Sequence, residues 1–117
     1  MHEFSLATSL VDLVLKHCPQ DEELESITVE AGPMRGIDPQ AMQWAWQAAT
    51  DNTAITGSKV ELIQQPWKLH CPDCHTDFVA NDMFTNCSCG CQKTNPIDSD
   101  TLRLVRLTLK EPATLCT

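Results

Sequence analysis

Cys71-Pro72-Asp73-Cys74 and, after twelve intervening residues, Cys87-Ser88-Cys89-Gly90-Cys91 decide how this chain is read. The two segments hold five of its seven cysteines. Close-set thiols on two tight turns, joined by a short loop, have the sequence form of a tetrahedral thiolate zinc site. Each turn points two sulfurs at one ion, and the loop brings the turns together. A disulfide framework would need an oxidising compartment, and no basic segment followed by an apolar run and a cleavage signal marks the chain for export. A redox pair on a thioredoxin-like unit is a further alternative, disfavoured by the second cysteine group.

Cys71 and Cys74 form the first ligand pair. Cys87, Cys89 and Cys91 compete for two places. Gly90 follows Cys89, and a glycine after the second cysteine of a turn relieves backbone crowding because it tolerates positive φ. This favours Cys87 with Cys89 and leaves Cys91 as the rival. His70 and His75 flank the first turn and are expected to be solvated neighbours rather than ligands.

The rest of the chain reads as an α+β body around that insert. The chain of 117 residues is about one domain. Phe4, Leu6, Leu10, Val11, Leu13, Val14 and Leu15 predict a partly buried helix from Phe4 to about His17, ended by Cys18-Pro19. Cys18 is expected to be a small buried residue. Ile27, Val29 and Ala31 alternate as a strand, followed by a turn at Gly32-Pro33 and Gly36. Asp38-Pro39 opens a second helix, Asp as N-cap and Pro in the first turn. On that helix Trp44 and Trp46 face different ways, one inward and one over an edge. Residues 50–58 read as a polar linker. Val60, Leu62 and Ile63 lie in a strand ending at Gln65-Pro66, Phe78-Val79 in a short strand, and 102–109 in a long one whose alternation changes phase between Leu104 and Val105. The expected architecture is a small mixed sheet with two helices in residues 1–66 and 96–117, and an inserted zinc-ribbon-like domain in residues 67–95.

The formal net charge is −8. A four-thiolate zinc site takes it to about −10, which suits neither a phosphate backbone nor nucleic-acid binding in general. No apolar run approaches the length of a membrane span. The expected compartment is the cytoplasm, where the thiols would stay reduced. There is no acid–base pair, nucleophile triad or phosphate loop, so an enzyme is not expected.

The chain opens Met1-His2-Glu3. A terminal amine, the deprotonated amide of residue 2 and the His2 imidazole are linked by short chelate arms, and Glu3 adds an amide nitrogen or a carboxylate oxygen. Nitrogen-rich, square-planar sets are what Ni(II) and Cu(II) prefer.

Met1-His2-Glu3-Phe4-Ser5-Leu6-Ala7 resembles the HypA/HybF family of nickel metallochaperones. The resemblance continues through Val29-Glu30-Ala31-Gly32, Asp38-Pro39, Gly57-Ser58-Lys59-Val60-Glu61-Leu62, Cys71-Pro72-Asp73-Cys74 and Leu102-Arg103-Leu104-Val105-Arg106-Leu107. It implies a nickel site on Met1, His2 and Glu3, a structural zinc on Cys71, Cys74 and a second pair, and a small α/β nickel-binding domain with an inserted zinc domain. It also implies nickel delivery with a partner GTPase to the [NiFe]-hydrogenase large subunit, with urease served by some members. Cys87-Ser88-Cys89-Gly90 fits a shorter form of the family's second pair; the extra Cys91 and Thr108 in the last strand depart from its pattern. The competing reading is a zinc-ribbon protein-binding adaptor that transfers no nickel and presents its acidic surface to a partner. A thiol oxidoreductase is a third, incompatible with thiols saturated by metal.

Overall fold

The computed structural model describes residues 2–19 and 21–110. Two helices and two three-stranded sheets make an α+β protein. Its chain forms two compact units: among the described residues, 2–29, 37–62 and 104–110 build the first, and 30–36 and 63–103 the second.

In the first unit α1 runs His2–His17 and α2 Pro39–Thr50. Helix α1 buries Ala7, Leu10, Val11 and Val14, a stripe at the i, i+3, i+4, i+7 spacing of one helix face. It packs on α2, which buries Met42, Ala45 and Trp46. The helix begins at His2 rather than Phe4, and Phe4, Leu13 and Leu15 stay exposed. Helix α2 starts where its caps place it: the Asp38 carboxylate accepts the Gln40 N–H at 3.2 Å, with Pro39 in the first turn. Trp46 is fully buried and Trp44 is 64 % exposed, as their opposite faces require.

Strands β1 (Leu24–Ala31), β2 (Lys59–Gln64) and β6 (Leu102–Leu109) form a sheet in the order β2-β1-β6. From β1 and β2, Leu24, Ile27, Val29 and Val60 enter the core. Residues 51–58 are less of a linker than their polarity suggests. Ile55 and Ser58 are buried, and the Trp46 indole N–H donates to Ser58 Oγ at 3.1 Å, which donates to the Ile55 carbonyl at 2.6 Å. In β6 the alternation breaks where Val105 and Arg106 are exposed in succession.

In the second unit β3 (Trp67–His70) pairs antiparallel with β4 (Asp77–Ala80) on one side and β5 (Asn95–Pro96) on the other. The register sets Trp67 opposite Ala80 and His70 opposite Asp77. Only β4 was expected from the sequence, as a shorter piece at Phe78-Val79. Gly32 has an ordinary extended backbone, φ −69°. It is glycine for space: a Cβ there would lie 2.4 Å from the Ser99 carbonyl oxygen, and the Gly32 N–H donates to the Thr101 carbonyl at 2.8 Å.

Candidate metal centre

The β3–β4 hairpin turns through residues 71–76, and that turn is the first cysteine knuckle. Its backbone closes itself: the Cys71 N–H donates to the Thr76 carbonyl and the His75 N–H to the Cys71 carbonyl, both at 2.9 Å. The Cys74 N–H points at Cys71 Sγ, 3.5 Å away. The second knuckle is built alike. The Gly90 N–H donates to the Cys87 carbonyl at 2.9 Å and the Cys87 N–H to the Cys91 carbonyl at 3.0 Å. Gly90 takes φ +96°, a region that L side chains rarely adopt.

These turns bring four sulfurs together. Those of Cys71, Cys74, Cys87 and Cys89 all lie within 4.8 Å of one another. The closest approaches are Cys71 to Cys89 and Cys74 to Cys87, each 3.6 Å. A disulfide needs about 2.05 Å, and all four cysteines are free. Four sulfurs at about 2.3 Å from one tetrahedral zinc would be roughly 3.8 Å apart, so the set fits that ion. Cys71 and Cys87 are buried; Cys74 and Cys89 are exposed.

The protonation of these thiols also fits a cation. The Cys74 N–H, with the Asp73 N–H and the neighbouring thiols of Cys74 and Cys89, holds Cys71 down to about 6 against the effect of burial. The Thr76 hydroxyl, 2.7 Å from Cys74 Sγ, is the main cause that lowers Cys74. The Cys91 N–H acts to lower Cys89, but the sulfurs of Cys87 and Cys71 together with burial push it up to about 12. Without a cation the cluster shares protons, because four adjacent thiolates repel. A dication removes that conflict.

Cys91 stands outside the sulfur group. Its Sγ accepts the Lys93 N–H at 3.3 Å, and it packs with Cys71, Cys87 and Phe78 as a small buried residue. The Lys93 N–H acts to lower its pKa, but burial and Asp73 raise it. Among the described residues the group contains no histidine. His70 Nδ1 lies 2.7 Å from Asp77 Oδ1, and the ring of His75 is centred 6.4 Å from that of His70. Cys18, expected to be buried, is half-buried.

Of the opening tripeptide, Met1 lies outside the described residues, as do residues 111–117 of the body's expected last segment. His2 and Glu3 form the first turn of α1. His2 Nδ1 is 3.7 Å from Glu3 Oε2, which accepts the Asp38 N–H at 3.1 Å. That N–H holds the Glu3 carboxyl below its ordinary pKa. Sequence reasoning missed this tie between the starts of the two helices. It also missed Thr76 and Asp77, which no ligand spacing announces.

The profile of a family described as hydrogenase/urease nickel incorporation, metallochaperone, HypA matches residues 1–109. A hydrogenase maturation factor HypA of Nostoc punctiforme is 23 % identical over 111 residues, 95 % of this chain and 97 % of the relative. One of Geobacter metallireducens is 27 % identical over 108 residues, 92 % and 97 %. The solution structure of the Ni metallochaperone HypA from Helicobacter pylori superposes with a TM-score of 0.66 at 21 % identity, covering 93 % of this chain and 97 % of that one. A second HypA solution structure gives a TM-score of 0.70, also at 21 % identity. The fold is shared with both.

Proposed function

Because this chain belongs to the HypA family of metallochaperones for hydrogenase and urease nickel incorporation, we propose that it binds Ni(II) at Met1, His2 and Glu3 and delivers it for [NiFe]-hydrogenase maturation. The family is one of metallochaperones, not of catalytic enzymes. The observation that carries the reading is the start of α1 at His2. The first four N–H groups of a helix have no intrahelical acceptor. The amide nitrogens of His2 and Glu3 are therefore free of the helix ladder, while the Glu3 carboxylate is occupied by the Asp38 N–H. Two deprotonated amides, the His2 imidazole and a Met1 amine make a set of nitrogen donors suited to square-planar Ni(II). A helix N-terminus favours the negative charge such amides acquire.

Cys71, Cys74, Cys87 and Cys89 hold a structural zinc in this reading. Zinc supplies a cross-link between the two knuckles, and with four protein ligands it has no open position for chemistry. The partners are a nickel-delivering GTPase and the hydrogenase large subunit, in the cytoplasm, with no nucleic acid and no membrane. Among the described residues no helix is long and apolar enough to cross a membrane.

The test is acetylation of the Met1 amine. It removes the amine that anchors the chelate and supplies no new one. We expect nickel affinity, measured by titration of the purified protein, to fall sharply while zinc content stays at one per chain. His2→Ala should act likewise and abolish hydrogenase maturation in cells at limiting nickel. Unchanged nickel affinity in both variants would overturn the chelate and leave a zinc-ribbon adaptor as the better reading.

A further inference from the structure

His70, His75 and Asp77 lie together on the first knuckle and take no part in the sulfur group. We propose that the two histidines form a second, exchangeable site for a borderline-soft divalent ion such as Ni(II), with Asp77 as the positioning residue.

The register of the β3–β4 hairpin places His70 directly opposite Asp77. His70 Nδ1 is 2.7 Å from Asp77 Oδ1. With Nδ1 turned to the Asp77 carboxylate, Nε2 is the ring nitrogen left to face a ligand. A carboxylate behind the non-ligating nitrogen is the arrangement that orients metal-binding histidines and raises their basicity. Both side chains are open to solvent, His70 at 37 % and Asp77 at 46 % exposure, so an ion can reach the ring.

His75 is brought to this place by the knuckle. Its backbone has φ +59°, unusual for a residue with a Cβ, and its N–H is held by the Cys71 carbonyl at 2.9 Å. The ring centres of His70 and His75 are 6.4 Å apart at an interplanar angle of 42°. Two imidazoles on one ion, at metal–nitrogen bonds of about 2.0–2.1 Å, have centres roughly 4.5 Å apart at a right angle and roughly 6.4 Å when opposed. The observed spacing lies at the outer end of that range. Rotation of the exposed His75 side chain reaches the rest of it. Two protein donors leave the remaining positions to water, so the ion is bound weakly and exchanges.

This site is separate from the N-terminal chelate and stands whether or not that chelate exists. It depends on the hairpin, and therefore on the knuckle that the sulfurs close. The experiment uses full-length, zinc-loaded protein carrying His2→Ala, titrated with nickel chloride. Binding is followed by calorimetry and by the imidazole NMR signals. We expect about one equivalent of Ni(II) to bind. It should broaden the ring signals of His70 and His75 and leave those of His17 sharp, with zinc still at one per chain. His70→Ala and His75→Ala should each abolish that binding. Asp77→Asn should weaken it by about 10-fold or more, the range typical for loss of a carboxylate behind a ligating histidine. Unaffected histidine signals, binding that survives loss of either ring, or nickel that binds only by expelling zinc would each overturn the proposal.

Discussion

Trp46→Phe tests whether the helical unit has a stability of its own. Trp46 is fully buried on α2, and its indole N–H donates to the buried Ser58 hydroxyl at 3.1 Å. Phe cannot donate. The hydroxyl keeps its bond to the Ile55 carbonyl, so the loss is one net hydrogen bond, about 1 kcal/mol. Phe is smaller by roughly 40 Å², worth about 1 kcal/mol of transfer free energy. It leaves up to roughly 40 Å³ unfilled, about another 1 kcal/mol if the site does not collapse. The expected destabilisation is about 3 kcal/mol, which at a urea dependence of about 1.5 kcal/mol/M moves the midpoint down by about 2 M. Two probes are needed, because a chain with two units and a candidate metal site need not unfold in one step. Far-UV circular dichroism reports α1 and α2; release of zinc to a chromophoric chelator reports the knuckles. The helical signal should shift by the full amount and zinc release by much less. A loss under about 1 kcal/mol would refute the packing argument, and equal shifts of both probes would refute independent unfolding.

Two further outcomes are expected. Cys89→Ser should lose zinc and Cys91→Ser should keep it, measured as zinc per chain by elemental analysis, since only the first removes a sulfur from the group of four. The reverse pattern would make Cys91 a ligand. Glu3 gives a pH signature: its carboxyl is held below its ordinary value by the Asp38 N–H, so its contribution to stability is present above the unfolded pKa and disappears as pH falls through the folded one. Urea midpoints compared between pH 3 and 6 should fall more steeply in the parent than in Glu3→Gln, and parallel curves would show that the carboxylate contributes nothing.

What the sequence made legible was local. Asp38-Pro39 announces the start of α2 because a cap acts over three residues, and the structure places the cap there. The knuckles are legible because each is a turn with its cysteines at its ends, and Gly90 supplies the positive φ that the second one uses. What stayed hidden was set at long range. β3 and β5 are short strands whose pairing, Leu69 with Pro96 and Trp67 with Ala80, no periodicity encodes. Gly32 reads as a turn residue but is glycine because Ser99, far along the chain, comes against it. The early start of α1 has no cap signal in the sequence; the tie from Glu3 goes to Asp38, the N-cap of α2, 35 residues later.

That tie changes how the N-terminal donors are to be understood. Chain termini are commonly loosely held. In the structure, residues 2 and 3 are the first turn of a helix packed on α2, and the Glu3 side chain is fastened to the α2 cap. The donor nitrogens proposed here are therefore partly ordered before any ion arrives, which reduces the entropy cost of binding. A square-planar set of this kind would still give up its ion readily, since it has open axial faces where a partner's ligand can enter. The four sulfurs have the opposite arrangement. Each pair is fixed by backbone hydrogen bonds within its own knuckle, and a tetrahedral set of four protein ligands leaves an incoming ligand no vacant position. In this reading, retention of zinc and release of nickel follow from coordination number and access rather than from affinity alone.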